Sequence, residues 1–353
     1  MRQAARNLRT CTLWIDDNNM GHESRDMSVE AATPAGNFAH ARPAQPLTFT
    51  LRPVPPFRLD FTVWALRRRP ENLLDRWDGE FYRRALVFDE SVSRHPVEIA
   101  VEQTGTVERP ALRVNAFATE HPPALEGALR STVEQMLGVG TDLREFYAFA
   151  AKQKQLRALI SLFTGLKPPR YPTLFEALLN AISCQQVSLH VGIMLLNRVV
   201  QSFGRASPHD NSLHGCPQPR DLAQLRTGEL RAFGYSTNKE RAILELSRAI
   251  ASGELDLECF RELDDAAALE RLTAIRGIGR WSAEYVMLRG MGRLNIFPGD
   301  DVGGWNNLQK HLRLRSRPDY AKTRRLLAPW KNYAGLIYFH FLLDGLRSRG
   351  VLE

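Results

Sequence analysis

The chain has 353 residues and a mass of 40.0 kDa, enough for more than one hydrophobic core. Its apolar fraction of 44% and charged fraction of 24% are those of an ordinary globule, and no run of eighteen apolar residues is present, which argues against a membrane-spanning helix. The net charge of +8 and pI near 9.5 favour a polyanionic partner, and the segment from Val302 to Glu353, with ten Lys or Arg against three acids, carries +7 of it.

Residues 1–44 lack periodicity and read as a disordered tail or an over-extended start. From 45 to 142 an α+β domain is expected. Short β-like runs at 47–51, 60–65, 81–88, 97–101 and 111–117 suit an antiparallel sheet, and Leu125, Leu129, Val133 and Leu137 mark one face of a covering helix. Residues 143–353 read as all-helical. One helical segment is expected from Leu143 to Phe163, stopped by Pro168 and Pro169. Two later helices open on apparent capping boxes, Thr173 with Glu176 and Thr237 with Glu240. The four cysteines, Cys11, Cys184, Cys216 and Cys259, form no Cys-x-x-Cys pair; neither a disulfide framework nor a thiolate metal site is suggested, and a cytosolic setting is expected. Gln185, Gln186 and Ser188 interrupt an apolar pattern; they suit a solvated face, or a group that fills the gap left by a displaced base.

Asp264 caps the helix that leads into Leu272–Gly290, where Gly277 and Gly279 form a tight turn before a second helix. Glycines there leave amides uncovered at a helix N-terminus, a setting that holds phosphate, with Arg280 and Arg289 adding charge. The segment 295–303 follows, in which Phe297-Pro-Gly makes a stiff approach to Asp300 and Asp301. A carboxylate held at fixed depth stabilises positive charge on a sugar ring and orients water. An acid in this position also suits a helix cap, and two neighbours allow one cap and one catalyst. Trp281 and Tyr285, four apart, share a helix face, either as core or as a stacking surface for a flipped base.

The run from Leu272 through Tyr285 together with Phe297-Pro-Gly-Asp-Asp resembles the helix-hairpin-helix glycosylase superfamily with its Gly-Pro/Asp loop, and more narrowly the DNA-3-methyladenine glycosylase II family. The runs 175–188, 233–239 and 329–334 add to the likeness, which covers about residues 45–345. It implies a hairpin at about 265–290 and a catalytic loop at 295–303, with Asp301 as the catalytic carboxylate. It further implies Trp281, Tyr285 and Phe339 around the base, Gly277, Gly279, Arg280 and Ser188 on DNA, and Gln186 as the wedge. Trp281 stands where bifunctional relatives keep a Schiff-base lysine, implying a monofunctional hydrolase. Val302 replaces a commonly larger residue and is expected to widen the pocket. No cofactor is required on this reading; a monovalent cation at the hairpin carbonyls is the one candidate. The implied partner is duplex DNA with a damaged base, alkylated purines first, acted on by a monomer away from any membrane. Deaminated or oxidised bases, or DNA binding without catalysis, are the alternatives.

Overall fold

A computed structural model describes residues 46–352, so the reading of residues 1–44 lies outside the described range. Five strands form one antiparallel sheet: β1 Leu47–Leu51, β2 Arg76–Trp77, β3 Tyr82–Leu86, β4 Val97–Gln103 and β5 Leu112–Phe117, in the order β1-β5-β4-β3-β2. Phe49 opposes Val114, and Ile99 opposes Ala116 and, on its other side, Arg84. Residues 60–65, whose apolar run suited a strand, instead lie in helix α1, Leu59–Arg67. The reason is that both faces of this segment are covered. Leu59, Val63 and Leu66 enter one core, while Phe61, Trp64 and Ala65 enter a second, so a continuous apolar run fits a doubly packed helix.

Helix α2, Ala124–Leu137, buries Leu125, Leu129, Val133 and Leu137 in the core beneath the sheet and ends on left-handed Gly138. The segment expected as one helix from Leu143 is two, α3 Arg144–Ala151 and α4 Arg157–Leu162, separated by a turn at 152–156. Then come α5 Leu174–Cys184, α6 Leu189–Phe203, α7 Pro219–Ala223, α8 Glu229–Ala232, α9 Thr237–Ala251, α10 Asp265–Ala274, α11 Arg280–Val286, α12 Val302–Leu312, α13 Tyr320–Leu327 and α14 Ala334–Arg347. No helix among the described residues is long and apolar enough to cross a membrane.

Of the two expected capping boxes, the first is half present and the second is absent. Thr173 accepts from the Glu176 amide, but the Glu176 carboxylate turns away to Arg84 of β3, 2.5 Å distant. Arg84 also binds Asp75 at 2.7 Å, and Tyr82 donates to the same carboxylate oxygen at 2.7 Å. This fully buried network joins the sheet to α5, and a charge so placed stays only because it is paired. In the second box Ser236, not Thr237, is the cap, and Glu240 accepts from the amides of Gly228, Leu230 and Arg231 at the start of α8. Both glutamates therefore serve a neighbouring element, which short-range spacing does not reveal.

Candidate active site

Asp264 accepts from the Ala267 amide at 2.8 Å and starts α10, the first arm of a hairpin. The turn closes with Ile278 N donating to Ile275 O at 3.0 Å. Gly277 has φ +79°, and a Cβ there would stand 2.6 Å from Ala242 Cβ, so both the backbone angle and the packing require glycine. Gly279, at φ −86°, is the residue before α11, and a Cβ there would meet nothing within 4 Å. The start of α11 is thus open to solvent, with free amides and the positive end of the peptide dipoles facing outward. The helical path continues through a wider turn, Met287–Met291.

Gln185 joins the end of α5 to this turn, donating to Gly277 O and to Ser282 Oγ, both at 2.8 Å. Its neighbour Gln186 is exposed and takes a left-handed backbone, φ +52°. Ser188 caps α6 through the Val191 amide. Arg280 does not stand free: it pairs with Asp300 at 2.9 Å and lies 3.7 Å from the centre of the Tyr320 ring. Arg289, expected to add charge near a bound phosphate, is instead buried in the interior.

Asp301 begins α12. One carboxylate oxygen, Oδ1, accepts from Gly304 N at 2.5 Å; the other, Oδ2, accepts from Trp281 Nε1 at 3.1 Å and Tyr338 OH at 3.4 Å. The division of one cap and one catalyst between the two acids therefore does not hold, since Asp301 itself is the cap and Asp300 is the ion-pair partner of Arg280. Burial pushes the Asp301 carboxyl above the ordinary carboxylate range, in spite of those three donors. An acid so placed has a fixed orientation and a raised affinity for nearby positive charge. Its loop is fixed by Glu284, which accepts from Gly299 N at 2.7 Å and from Tyr320 OH at 2.8 Å.

Trp281 stacks on Tyr285, ring centres 5.4 Å apart, and remains half-buried at the rim. Tyr285 lies deeper and shares a hydrogen bond of 2.8 Å with Tyr171 OH. Phe339 is fully buried behind Tyr338, while Val302 is 53% exposed on the first turn of α12. The half-buried groups around Oδ2 are accordingly Trp281 and Tyr338. Tyr338 was not singled out from the sequence, although it lies in the ring-rich run 330–341. A separate open cleft of about 750 Å³ against β2 and β3 includes Arg67, Arg76 and Arg83 but none of these residues.

Residues 179–332 match the profile of the family described as HhH-GPD superfamily base excision DNA repair protein. The match covers less than half of the chain. The chain is 28% identical over 209 residues to a DNA-3-methyladenine glycosylase of Bacillus subtilis, covering 59% of this chain and 69% of the relative. With DNA-3-methyladenine glycosylase 2 of Escherichia coli the identity is 31% over 173 residues, covering 48% of this chain and 58% of the relative. A putative DNA-3-methyladenine glycosylase of Bacillus subtilis shares 29% over 161 residues, and the chain spans only 55% of its length. In three dimensions, the 3-methyladenine DNA-glycosylase of Archaeoglobus fulgidus aligns at a TM-score of 0.72 with 24% identity, over 84% of this chain and 97% of that one, a likeness of fold. The matched residues include the α10–α11 hairpin and the loop that ends at Asp301.

Proposed function

We infer that the chain is a DNA glycosylase of base excision repair that removes alkylated bases from duplex DNA and acts by hydrolysis alone. The observation that carries this reading is the Asp301 carboxylate, held by Gly304, Trp281 and Tyr338 beside an open hairpin. The first-turn amides of α11 take a backbone phosphate, and Gln186 enters the gap as a damaged nucleotide turns outward, a step costing a few kcal/mol and least for a weakened pair. The base then rests against Trp281. As the bond from the sugar to the base breaks, positive charge develops on the sugar ring, and ionised Asp301 stabilises it. The bonding electrons leave with the base, cancelling its positive charge, and water adds at the anomeric carbon and gives up one proton to solvent, leaving an abasic site. Trp281 has no amine with which to form a Schiff base, so strand cleavage is not part of the proposal.

A monovalent cation at the hairpin is compatible with this scheme. Ile275 O and Gly277 O each accept one hydrogen bond and keep one lone pair, an uncharged oxygen set that would hold such an ion, whose charge would offset that of a phosphate without entering the reaction.

The test is Asp301→Asn, which retains a side chain able to cap α12. Excision of 7-methylguanine from a defined duplex, followed by chromatography of released bases, should fall by at least about 10²-fold, while affinity for an abasic duplex is kept. Release at the normal rate by the variant would rule out this role for Asp301.

A further inference from the structure

Two arginines lie behind the proposed base pocket and take no part in the scheme above. Arg289 is 1% exposed, four residues beyond Tyr285 on the same arm of the hairpin. Its guanidinium carbon is 5.5 Å from the centre of the Tyr285 ring, 5.3 Å from Tyr171 and 5.3 Å from Phe339. Arg68, 4% exposed, stands 5.8 Å from the Tyr285 ring and donates to Asn180 Oδ1 at 2.6 Å, with Nη1 3.9 Å from Cys184 Sγ.

A structural role explains part of this. Arg289 Nη2 donates to Ala65 O at 2.7 Å and Leu66 O at 3.2 Å, closing the C-terminal end of α1. It does not explain the rest. Nε and Nη1 of Arg289 and Nε of Arg68 are buried without a hydrogen-bond partner, and neither guanidinium has a carboxylate within ion-pair distance among the described residues. Arg84, buried to the same degree, has two. A guanidinium does not lose its proton in a protein, so two uncompensated positive charges stand in weakly screened surroundings behind the rings.

We infer that Arg68 and Arg289 make the base pocket electropositive and select among lesions by charge. An uncharged base with a carbonyl acceptor, of the hypoxanthine type, is favoured in binding over a purinium cation such as 7-methylguanine. A cationic base would gain from the ring face of Trp281, but the rings behind it, Tyr285 stacked on Trp281 and the buried Phe339, already have guanidinium groups against them, and their charge opposes that gain. The cation still departs more readily once bound, so charge selection is read in a ratio compared between variants. This inference rests on the glycosylase reading.

The experiment measures kcat/KM for hypoxanthine and for 7-methylguanine in the same duplex, both being 6-oxopurines. Dissociation constants for the two bases on a non-hydrolysable 2′-fluorinated sugar are measured beside it. Arg289→Met, and independently Arg68→Gln, should lower the hypoxanthine-to-7-methylguanine ratio of kcat/KM about tenfold and raise the corresponding ratio of dissociation constants about tenfold, because removing one weakly screened charge favours the cation. Arg289→Lys, which keeps the charge, should retain the wild-type ratio. Thermal denaturation identifies any variant that fails to fold; if Arg289→Met fails, Arg68→Gln decides. An unchanged ratio in a folded charge-removing variant overturns the inference and leaves the glycosylase reading standing. If the wild-type protein releases neither base in an Asp301-dependent way, the glycosylase reading falls and the inference with it.

Discussion

At the scale of single residues, the two hairpin glycines have different reasons to be glycine. Gly277→Ala places a side chain at φ +79° and against Ala242, and should cost about 1–3 kcal/mol of stability. Gly279→Ala meets neither obstacle, and its stability should change by no more than about 0.5 kcal/mol. Yet its methyl group would stand beside the open start of α11, so affinity for an abasic duplex should fall. Urea denaturation and a binding titration on both variants separate the two effects; unchanged affinity in Gly279→Ala would remove the hairpin as the phosphate grip. Asp301 gives a second residue-scale expectation. In the proposed scheme it acts ionised, and burial raises its pKa, so single-turnover excision should fail on acidification at a pH above the ordinary carboxylate value of about 4. An acid limb at or below that value would contradict a buried catalytic carboxylate. Both features were legible in the sequence because each depends on local chemistry, a turn of two glycines and an acid after Pro-Gly. What Asp301 touches was less legible: Tyr338 reaches it from 37 residues away.

At the scale of elements, local spacing located helices well and assigned their side-chain partners poorly. Glu176 sits where a capping box places it, but a buried arginine takes its carboxylate; Glu240, four residues past the true cap Ser236, lies outside that position and serves the uncapped start of α8. Helix α14 carries a similar hidden dependence in His340. This side chain is wholly buried beside Phe146 and Phe163; its Nδ1 donates to Leu336 O at 2.7 Å, and Nε2 has no partner. Burial lowers its pKa to about 4. The unfolded chain, with an ordinary histidine value of about 6.5, therefore takes up the proton first as pH falls, and folding stability declines across that window. Between pH 7 and pH 5 the loss from this group should be about 2 kcal/mol. His340→Leu should flatten that part of the pH dependence in urea unfolding; an undiminished slope would show that other groups control it.

At the scale of the whole molecule, the sheet-bearing half and the helical half meet at the site, and this is what the sequence concealed most. From the first half, Arg68 at the end of α1 packs on Tyr285, and Ala65 and Leu66 present carbonyls to Arg289, more than 220 residues on. Contacts across such separations leave no periodic trace. The global charge, in contrast, is plain in the sequence and has a location in the fold. Arg313, Arg315, Arg317 and Arg324 are exposed around the ends of α12 and α13 and form no ion pair among the described residues, whereas nearby Lys310 is held by Asp344. Tyr320, the first residue of α13, packs on Arg280 and so joins this surface to the hairpin. If the surface follows the DNA backbone, its cations release counterions on binding. The plot of log affinity against log salt should then become shallower by about 0.9 for each phosphate contact removed. Arg315→Ala with Arg324→Ala should therefore reduce the slope by up to about 1.8 and weaken binding to damaged and undamaged duplexes alike. A loss confined to damaged duplexes would place these residues at the lesion instead, and an unchanged slope would leave the hairpin to hold the backbone without them.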